Sequence, residues 1–319
     1  MILSKERKFL EQLERANNVA IYTHINVDGD GIGSAFALFY LLKNMGKHPF
    51  VFVDSELPTE VQYLNIKDLI NIGDPEMCDL HIAVDSNSPQ RLGKYQTYFE
   101  NAKNTMMTDH HSGTDNYARI NIVNSKMASN TELLFWVFRD RIRFSKRTAE
   151  SLLLGILTDT GGLRFRSTTH RTLEAVSILC KEYGANFAEL MANIFEKQPH
   201  DYFLAHKYAY EHTEFYDQNR IVLITVPNSF YVENGVDVNM SKGLSRIGTE
   251  LKDTKFLAVI NEEVPGKFRI AVRTRDRYDA GEIARRFGGG GHKQAAGLKL
   301  FGDIETVKEK LLKAFRDEL

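Results

Sequence analysis

Aspartate and histidine residues that could bind metal ions stand in four separate segments of the chain. The first segment is His24-Ile-Asn-Val-Asp28-Gly-Asp30-Gly, which follows a short run of β-branched and aromatic residues. One imidazole and two carboxylates form a donor set of mixed nitrogen and oxygen type, which suits divalent ions. The intervening glycines let the backbone turn tightly around such an ion. Taken alone, the segment has a second interpretation as a solvated Asp-Gly turn.

The other three segments also follow apolar stretches. Asp85 comes directly after an apolar strand pattern, Asp109-His110-His111 after another, and Asp159 closes an apolar helical pattern. Singly, each has a structural explanation: a helix N-cap, a polar surface pair, or a helix end with a glycine cap. An acidic residue at a helix C-terminus opposes the helix dipole, which weakens the last explanation.

Taken together, these carboxylates favour a metal centre. Clustered carboxylates repel each other unless positive charge neutralises them. Two divalent ions ~3.5–4 Å apart, sharing one bridging carboxylate, would do so. Oxygen-rich donor sets with some imidazole favour Mn²⁺, with Mg²⁺ as the alternative, over structural Zn²⁺.

Strand and helix patterns alternate along the part of the chain that must position these residues. The alternation predicts an α/β fold with a doubly wound, mostly parallel sheet, followed by a smaller C-terminal α/β domain. The chain has 319 residues, more than one core usually holds. The expected division is a metal-binding domain over 1–190, a helical connector over 191–215 and a second domain over 216–319. Apolar periodicity predicts helices from about Phe195 to Tyr210 and over Lys242 to Leu251.

Composition excludes several classes of protein. The formal net charge is −1 with 26% charged residues, so bulk charge does not demand nucleic acid or a membrane. No apolar stretch approaches the ~20 residues of a membrane span. Cys78 and Cys180 are too few and too far apart for a disulfide framework or a cysteine zinc site. We therefore expect a soluble, cytoplasmic protein, and its amphipathic N-terminal helix, with Phe9, Leu10 and Leu13 on one side, or its connector could serve a homodimer contact.

A fifth segment could meet phosphate groups. Four glycines precede His292 and Lys293, so several backbone N–H groups are free to face an anion. Upstream, Arg273, Arg275 and Arg277 alternate, and the period of two predicts one strand face for all three. Arginines in such a row could bind phosphates. The alternatives are a solvated strand edge for the arginines and a flexible linker for the glycines.

The five segments together resemble the DHH phosphoesterase superfamily and its DHHA1 domain. The motifs occur in the family's order as HINVDGDGIGS, AVDSNSPQRLG, TDHHSGTDNYA, GILTDTGGLRF and GGGGHKQAAG. The resemblance covers essentially the whole chain and is nearest to the nanoRNase and pAp phosphatase subgroup. Many relatives have Pro where Val27 stands, which affects turn stiffness rather than metal binding.

The resemblance implies six metal ligands, which are His24, Asp28, Asp30, Asp85, His110 and Asp159. His24 and Asp28 would bind one ion, Asp85 would bridge both, and the remaining three would bind the second ion. His111 would contact the scissile phosphate or assist proton transfer, and Asp109 would orient one histidine. The metals would activate water for attack on the phosphate.

The resemblance also implies the substrate class. Arg273, Gly290, Gly291 and His292 match the segment that holds the far end of the substrate. Short single-stranded oligonucleotides, pApA or pAp are the expected substrates, and nucleoside 5′-monophosphates or AMP the products. The alternatives are a manganese-dependent inorganic pyrophosphatase, against which the GGGGH motif argues, and a nucleotide sensor without catalysis, against which the complete ligand set argues. A RecJ-type exonuclease would need more domains than this chain can hold.

Overall fold

The apolar runs of the first ~200 residues form a parallel sheet. This computed structural model describes residues 2–241 and 243–319, and the chain divides into unit 1, Met1–Lys197, and unit 2, Gln198–Leu319. The strands of unit 1 are β1 (Asn18–Tyr22), β2 (His48–Phe52), β3 (Leu80–Val84), β4 (Thr105–Asp109) and β5 (Ile120–Val123). Its α-helices are α1 (Ile2–Arg15), α2 (Gly29–Asn44), α3 (Gln96–Asn101), α4 (Asn130–Phe138), α5 (Lys146–Asp159), α6 (His170–Tyr183) and α7 (Phe187–Met191).

Both faces of this sheet are covered. Alternate residues of a strand point to opposite faces, and in β1 they belong to two separate apolar clusters. Val19 and Ile21 pack in the larger cluster with α2, α4 and α5, whereas Ala20 and Tyr22 pack in a smaller one with Phe99 of α3. Helices on both faces of an all-parallel sheet confirm the predicted doubly wound α/β fold.

The strand order places a ligand crevice at a defined point. The order is β2-β1-β3-β4-β5, so the chain leaves β1 toward one edge of the sheet and returns to the other side at β3. In open α/β sheets, ligands bind beyond the carboxyl ends of the strands where this reversal occurs. His24 follows β1 and Asp85 follows β3 directly, so two of the predicted ligands lie at the reversal point.

A close approach of two helices brings the elements of the site together. A Cβ atom on Gly33 of α2 would lie 2.6 Å from the Ser151 backbone oxygen and 3.0 Å from the Gly155 backbone nitrogen of α5. Only glycine allows these backbones to approach so closely. The helix that begins at the first motif and the helix that ends at Asp159 are therefore held against each other.

Unit 2 is built on a six-stranded mixed sheet of order β10-β11-β9-β8-β7-β6. Its strands are β6 (Thr213–Tyr216), β7 (Ile221–Val226), β8 (Phe256–Val264), β9 (Lys267–Thr274), β10 (Gly290–His292) and β11 (Ala295–Phe301). Its α-helices are α8 (His200–Glu211), α9 (Asn228–Asn234), α10 (Ser245–Thr249), α11 (Ala280–Arg286) and α12 (Ile304–Arg316). Apolar residues pack on both faces of the sheet, so this unit is also α/β.

Two predicted helices differ in the structure. The helix expected from about Phe195 to Tyr210 begins instead at His200, because Pro199 caps it and disfavours helical backbone in the residue before it. The helix expected over Lys242 to Leu251 is reduced to α10, and Lys242 itself lies outside the described residues. The sequence patterns also missed β6, β10 and β11.

The N-terminal helix uses its apolar side within its own unit. Phe9 and Leu13 of α1 are fully buried in the larger apolar cluster, and Leu10 packs against that cluster. These side chains therefore do not supply the dimer contact that the amphipathic pattern suggested. In the part of the chain that the structure describes, no helix has the length and apolar character to cross a bilayer.

The contact at Gly33 gives a prediction about stability. Alanine is favoured over glycine inside a helix by about 1 kcal/mol, but its Cβ would collide with the backbone of α5. We expect Gly33→Ala to lower the free energy of unfolding of unit 1 by about 1–3 kcal/mol, measured by chemical denaturation. Asn44→Ala at the exposed end of the same helix is the control, and we expect it to be neutral or slightly stabilising. A Gly33→Ala protein at least as stable as wild type would contradict the close approach.

Candidate metal centre

The first motif folds into the start of α2. Asp28 is the N-cap, and its Oδ1 accepts hydrogen bonds from the backbone N–H groups of Asp30 and Gly31, both at 3.1 Å. Such a cap is a frequent way to begin a helix. It leaves the Asp28 side chain about half exposed and turns Asp30 into the interior, where Asp30 is fully buried.

Asp30 lies against the N-terminus of α4. Its Oδ2 accepts a hydrogen bond from the Asn130 N–H at 2.6 Å, and its Oδ1 accepts from the Thr131 N–H at 3.0 Å and the Thr131 Oγ1 at 2.8 Å. Free N–H groups and the helix dipole both favour a negative charge there. These contacts fix the orientation of a carboxylate that is otherwise buried among other acids.

Asp85 occupies the middle of the cluster. It is 1% exposed, and its φ of +53° places it in the left-handed region, which is rare for residues other than glycine. Its Oδ2 lies 3.5 Å from His24 Nε2, and its Oδ1 lies 3.6 Å from His110 Nε2. Within the described part of the chain, Asp85 Oδ1 is buried without a hydrogen-bond partner. A strained backbone and an unpaired buried oxygen are typical of a functional position.

The two histidines of the Asp109-His110-His111 segment have different partners. Asp109 is fully buried, and its Oδ1 accepts from the His110 N–H at 2.9 Å and pairs with His111 Nδ1 at 2.8 Å. Its Oδ2 accepts from the Thr114 hydroxyl. Asp109 therefore orients His111, while His110 points toward the carboxylates, with its Nε2 3.2 Å from Asp159 Oδ2.

The six predicted ligands fall into two groups. Ligand atoms of His24, Asp28 and Asp85 lie within 4.8 Å of one another, and the same holds for those of Asp30, His110 and Asp159. A third such set, Asp85 with His110 and His111, connects the two groups through Asp85. Residues far apart in sequence thus come together beyond the strand ends, in an arrangement able to hold divalent cations.

The pKa values reflect the crowding of acids. Burial raises the pKa of Asp30 well above its usual value, and the charges of Asp85 and Asp159 raise it further. Burial also raises the pKa of Asp159 to about 6, although the hydrogen bond with His110 opposes this. Each shift means that a negative charge at that carboxyl is unfavourable without nearby positive charge.

The pKa values of two histidines are also raised, which favours the positively charged form of their rings. Burial alone would lower the pKa of His110, but the hydrogen bond with Asp159 and the neighbouring carboxylates raise it to about 11. The same balance, with Asp28 and Asp85 as partners, raises the pKa of His24 to about 10. The cluster therefore attracts positive charge strongly, and a metal ion that binds there must displace protons.

Several supporting residues were missed by the sequence patterns. Asn130 and Thr131 hold Asp30, and the signal for them was present as Ser129-Asn-Thr-Glu132, a capping-box pattern before an apolar run. Arg91 places its Nη2 2.7 Å from His24 Nδ1, a contact between residues 67 positions apart. No local sequence signal predicts such a pairing.

In unit 2, the predicted substrate residues line one cavity of about 430 Å³. Arg273, Gly290 and Gly291 contribute to its wall, together with Asn261 of the sheet and Ser241, which lies outside the sheet. Burial lowers the pKa of Arg273. His292 belongs to strand β10, but its side chain lies outside what the structure describes. The glycine run is therefore an edge strand and its approach, not a linker.

The prediction that Arg273, Arg275 and Arg277 share one strand face is wrong, because only Arg273 lies in a strand. Strand β9 ends at Thr274, so the period of two stops there. Arg275 donates from Nη1 to the Leu251 backbone oxygen at 2.7 Å, and the Arg277 guanidinium lies over the Tyr278 ring. The alternation continues in the other direction instead, since Arg269 lines the cavity with Arg273.

Comparison with known proteins agrees with this architecture. Residues 18–156 match the N-terminal domain of the DHH family, and residues 222–319 match the DHHA1 domain. These matches identify the chain as a hydrolase that acts on phosphoester bonds. The chain therefore contains an N-terminal DHH domain and a DHHA1 domain, as the motifs predicted.

Three similar proteins illustrate the relationship. The bifunctional oligoribonuclease and PAP phosphatase NrnA of Thermus thermophilus is 29% identical over 313 residues, covering 94% of this chain and 90% of its own. An exopolyphosphatase-related protein of Bacteroides fragilis has the same fold, with a TM-score of 0.92 at 22% identity over 99% of this chain and 96% of its own. RecJ of Thermus thermophilus, solved with Mn²⁺, has a TM-score of 0.58 at 15% identity, covering 99% of this chain and 55% of its own.

The contact between Thr131 and Asp30 gives a testable prediction. Groups that orient a metal ligand typically contribute 10–100-fold to metal affinity. We expect Thr131→Val, which removes the hydroxyl donor, to weaken Mn²⁺ binding about 10-fold in calorimetric titrations. Thr131→Ser keeps the hydroxyl and should bind Mn²⁺ like wild type. Equal affinities for the Val variant and wild type would show that this hydrogen bond does not position Asp30 for a metal.

Proposed function

We propose that this chain is a metal-dependent phosphodiesterase and phosphatase acting on short oligonucleotides and small nucleotides. It would release nucleoside 5′-monophosphates from pApA-type dinucleotides and RNA of a few residues, and AMP from pAp. The observation that carries the proposal is the pair of three-residue donor groups connected at Asp85. The name of the Thermus thermophilus relative supports this substrate class over other phosphate esters.

The residues present fit two divalent ions. Asp85 offers one carboxylate oxygen toward each group, and its Oδ1 is the buried oxygen without a hydrogen-bond partner in the described chain. His24 and Asp28 would complete one site, and Asp30, His110 and Asp159 the other. Four carboxylates and two imidazoles favour Mn²⁺ over Zn²⁺, and Mg²⁺ is the alternative ion. When bound, such ions lower the pKa of water and offset negative charge on the phosphate.

His111 is the residue best placed to assist a substrate. Its Nδ1 is paired with Asp109 Oδ1 at 2.8 Å, which fixes the orientation of the ring beside the donor groups. Burial would lower the pKa of His111, but the hydrogen bond with Asp109 raises it above the usual value. A protonated ring donates a hydrogen bond to the phosphate and can pass its proton to the leaving oxygen. Asp109 would act through His111, as an orienting residue.

The cavity of unit 2 would bind the part of the nucleotide that is not hydrolysed. Arg269 and Arg273 supply planar guanidinium groups that suit phosphate oxygens. Asn261 and Ser241 add neutral polar groups, as recognition of sugar or base requires. His292 remains part of this proposal by its position in the motif.

The metal requirement gives a prediction about activity. With Mn²⁺ the protein should convert pApA to AMP, and EDTA should abolish this turnover. Since bound ions supply several kcal/mol of transition-state stabilisation, we expect Asp85→Asn and Asp159→Asn each to lower kcat about 100-fold or more. Asp140→Asn is the matched control, because its side chain is 78% exposed on the surface of unit 1.

The same substrate panel separates the alternatives. Faster turnover of inorganic pyrophosphate than of pApA would favour a pyrophosphatase. Binding of nucleotides without hydrolysis of pApA, short RNA or pAp in Mn²⁺ or Mg²⁺ would favour a sensor. Full activity in EDTA, or in the Asp85 variant, would contradict the metal centre.

Arg273 gives a second prediction. Charge-assisted hydrogen bonds contribute about 1.5–3 kcal/mol, so their loss weakens binding about 10-fold or more. We expect Arg273→Gln to raise KM for pApA by that factor while kcat changes little, measured by steady-state kinetics. Arg286→Gln, on a partly exposed helix side chain outside the cavity, should leave KM unchanged. A decrease in kcat alone for the Arg273 variant would be inconsistent with a binding role.

A further inference from the structure

The loop after Asp159, residues 160–168, has an unusual backbone. Gly161, Gly162 and Leu163 are consecutive left-handed residues, with φ of +58°, +71° and +67°. Glycine adopts this region freely, but for a bulky residue such as Leu163 it costs energy. Strained backbone of this kind persists only where surrounding structure enforces it, and it occurs most often at ligand sites.

Several contacts enforce the strained turn. The Leu163 side chain packs against the main apolar cluster of unit 1, and its N–H donates to Thr160 Oγ1 at 3.0 Å. The N–H groups of Arg164 and Phe165 both donate to the Thr160 backbone oxygen, at 2.9 and 3.0 Å. The turn is therefore folded tightly onto the end of α5, directly after Asp159.

The turn presents the aromatic ring of Phe165 to solvent. Phe165 is 57% exposed, and a Cβ atom on Gly161 would lie 2.5 Å from its Cζ, so the ring tip rests on this glycine. Gly161 follows Asp159 by two residues, which span at most ~7 Å of chain. The exposed ring thus lies against a glycine two residues from Asp159, whereas Leu163 of the same loop is packed against the core.

Two arginines flank Phe165 in the sequence of the loop. Arg164 and Arg166, on either side of Phe165, are both exposed. Arg164 is fixed by donation from its Nε to the Gly161 backbone oxygen at 2.6 Å. An aromatic ring with flanking arginines is the combination by which proteins bind single-stranded nucleotides, because the ring stacks on a base and the cations attract the phosphates.

We propose that Phe165 stacks on the nucleobase adjoining the phosphate at the metal centre. The proposal rests on the proposed function and adds a base-binding position within unit 1. The strained turn would then fix the position of the ring in the loop that follows Asp159. A nucleobase is the occupant because its flat face matches the ring, and stacking accepts any base. The enzyme should therefore prefer substrates with a base at this position but discriminate weakly among bases.

The test compares pApA with a dinucleotide of the same backbone that lacks its bases. In Phe165→Leu we expect KM for pApA to rise about 10-fold, as loss of one stacked base usually gives. KM for the base-free substrate should not change, and neither should the Mn²⁺ concentration that gives half-maximal activity. Phe165→Tyr keeps an aromatic ring and should retain the wild-type KM. Phe215→Leu, at a similarly exposed phenylalanine on β6, is the matched control and should behave as wild type.

The outcomes are distinguishable. An unchanged KM for pApA in Phe165→Leu, with an active wild type, would overturn the stacking alone. An equal rise in KM for both substrates, or a higher Mn²⁺ concentration for half-maximal activity, would show that Phe165 only supports the loop. Either result also overturns the proposal. An inactive wild-type protein on every nucleotide would overturn the proposed function and the stacking with it.

Discussion

The central constraint in unit 1 is the burial of several aspartates in one place. Asp30, Asp85 and Asp109 are each at most 1% exposed, and mutual repulsion makes such a cluster unstable without compensating partners. The compensation is uneven. Asp30 has the N-terminus of α4, and Asp109 has His111 and Thr114. Asp85 lies between the imidazoles of His24 and His110, and one of its oxygens has no hydrogen-bond partner in the described structure. Cations at this position would relieve the repulsion that the protein groups leave uncompensated.

The strand order and the packing of two helices bring the members of this cluster together. The reversal of strand order between β1 and β3 puts His24 and Asp85 side by side, and β4 adds the two histidines. Glycine at position 33 lets α2 approach α5, which brings the start of one helix and the end of the other to the same crevice. Metal affinity should therefore be sensitive to helix packing as well as to the ligands themselves. The strained turn that follows Asp159 carries an exposed aromatic ring, which we propose as a base-binding position next to a metal-binding one.

Much of this was predictable from sequence, for physical reasons. The carboxyl ends of parallel strands lie at the same edge of a sheet. Polar residues directly after two apolar runs therefore indicated a shared site for Asp85 and His110. The partners of Asp30 were harder to predict, because Thr131 contacts it across 101 positions of sequence. Contacts such as Arg91 with His24 depend on tertiary packing and have no local signal. Helical periodicity extended the connector helix past Pro199, and it missed the strands of the glycine-rich segment, where side chains give no period to detect.

The number of Mn²⁺ ions bound per chain shows whether Asp85 joins two metal sites. Equilibrium dialysis against Mn²⁺, followed by elemental analysis, would count the ions bound by wild type and by Asp85→Asn. We expect two ions per chain for wild type and fewer than two for the variant, because Asp85 would contribute to both metal sites. Binding of no ion or one ion to wild type, or of two ions with unchanged affinity to Asp85→Asn, would contradict this expectation.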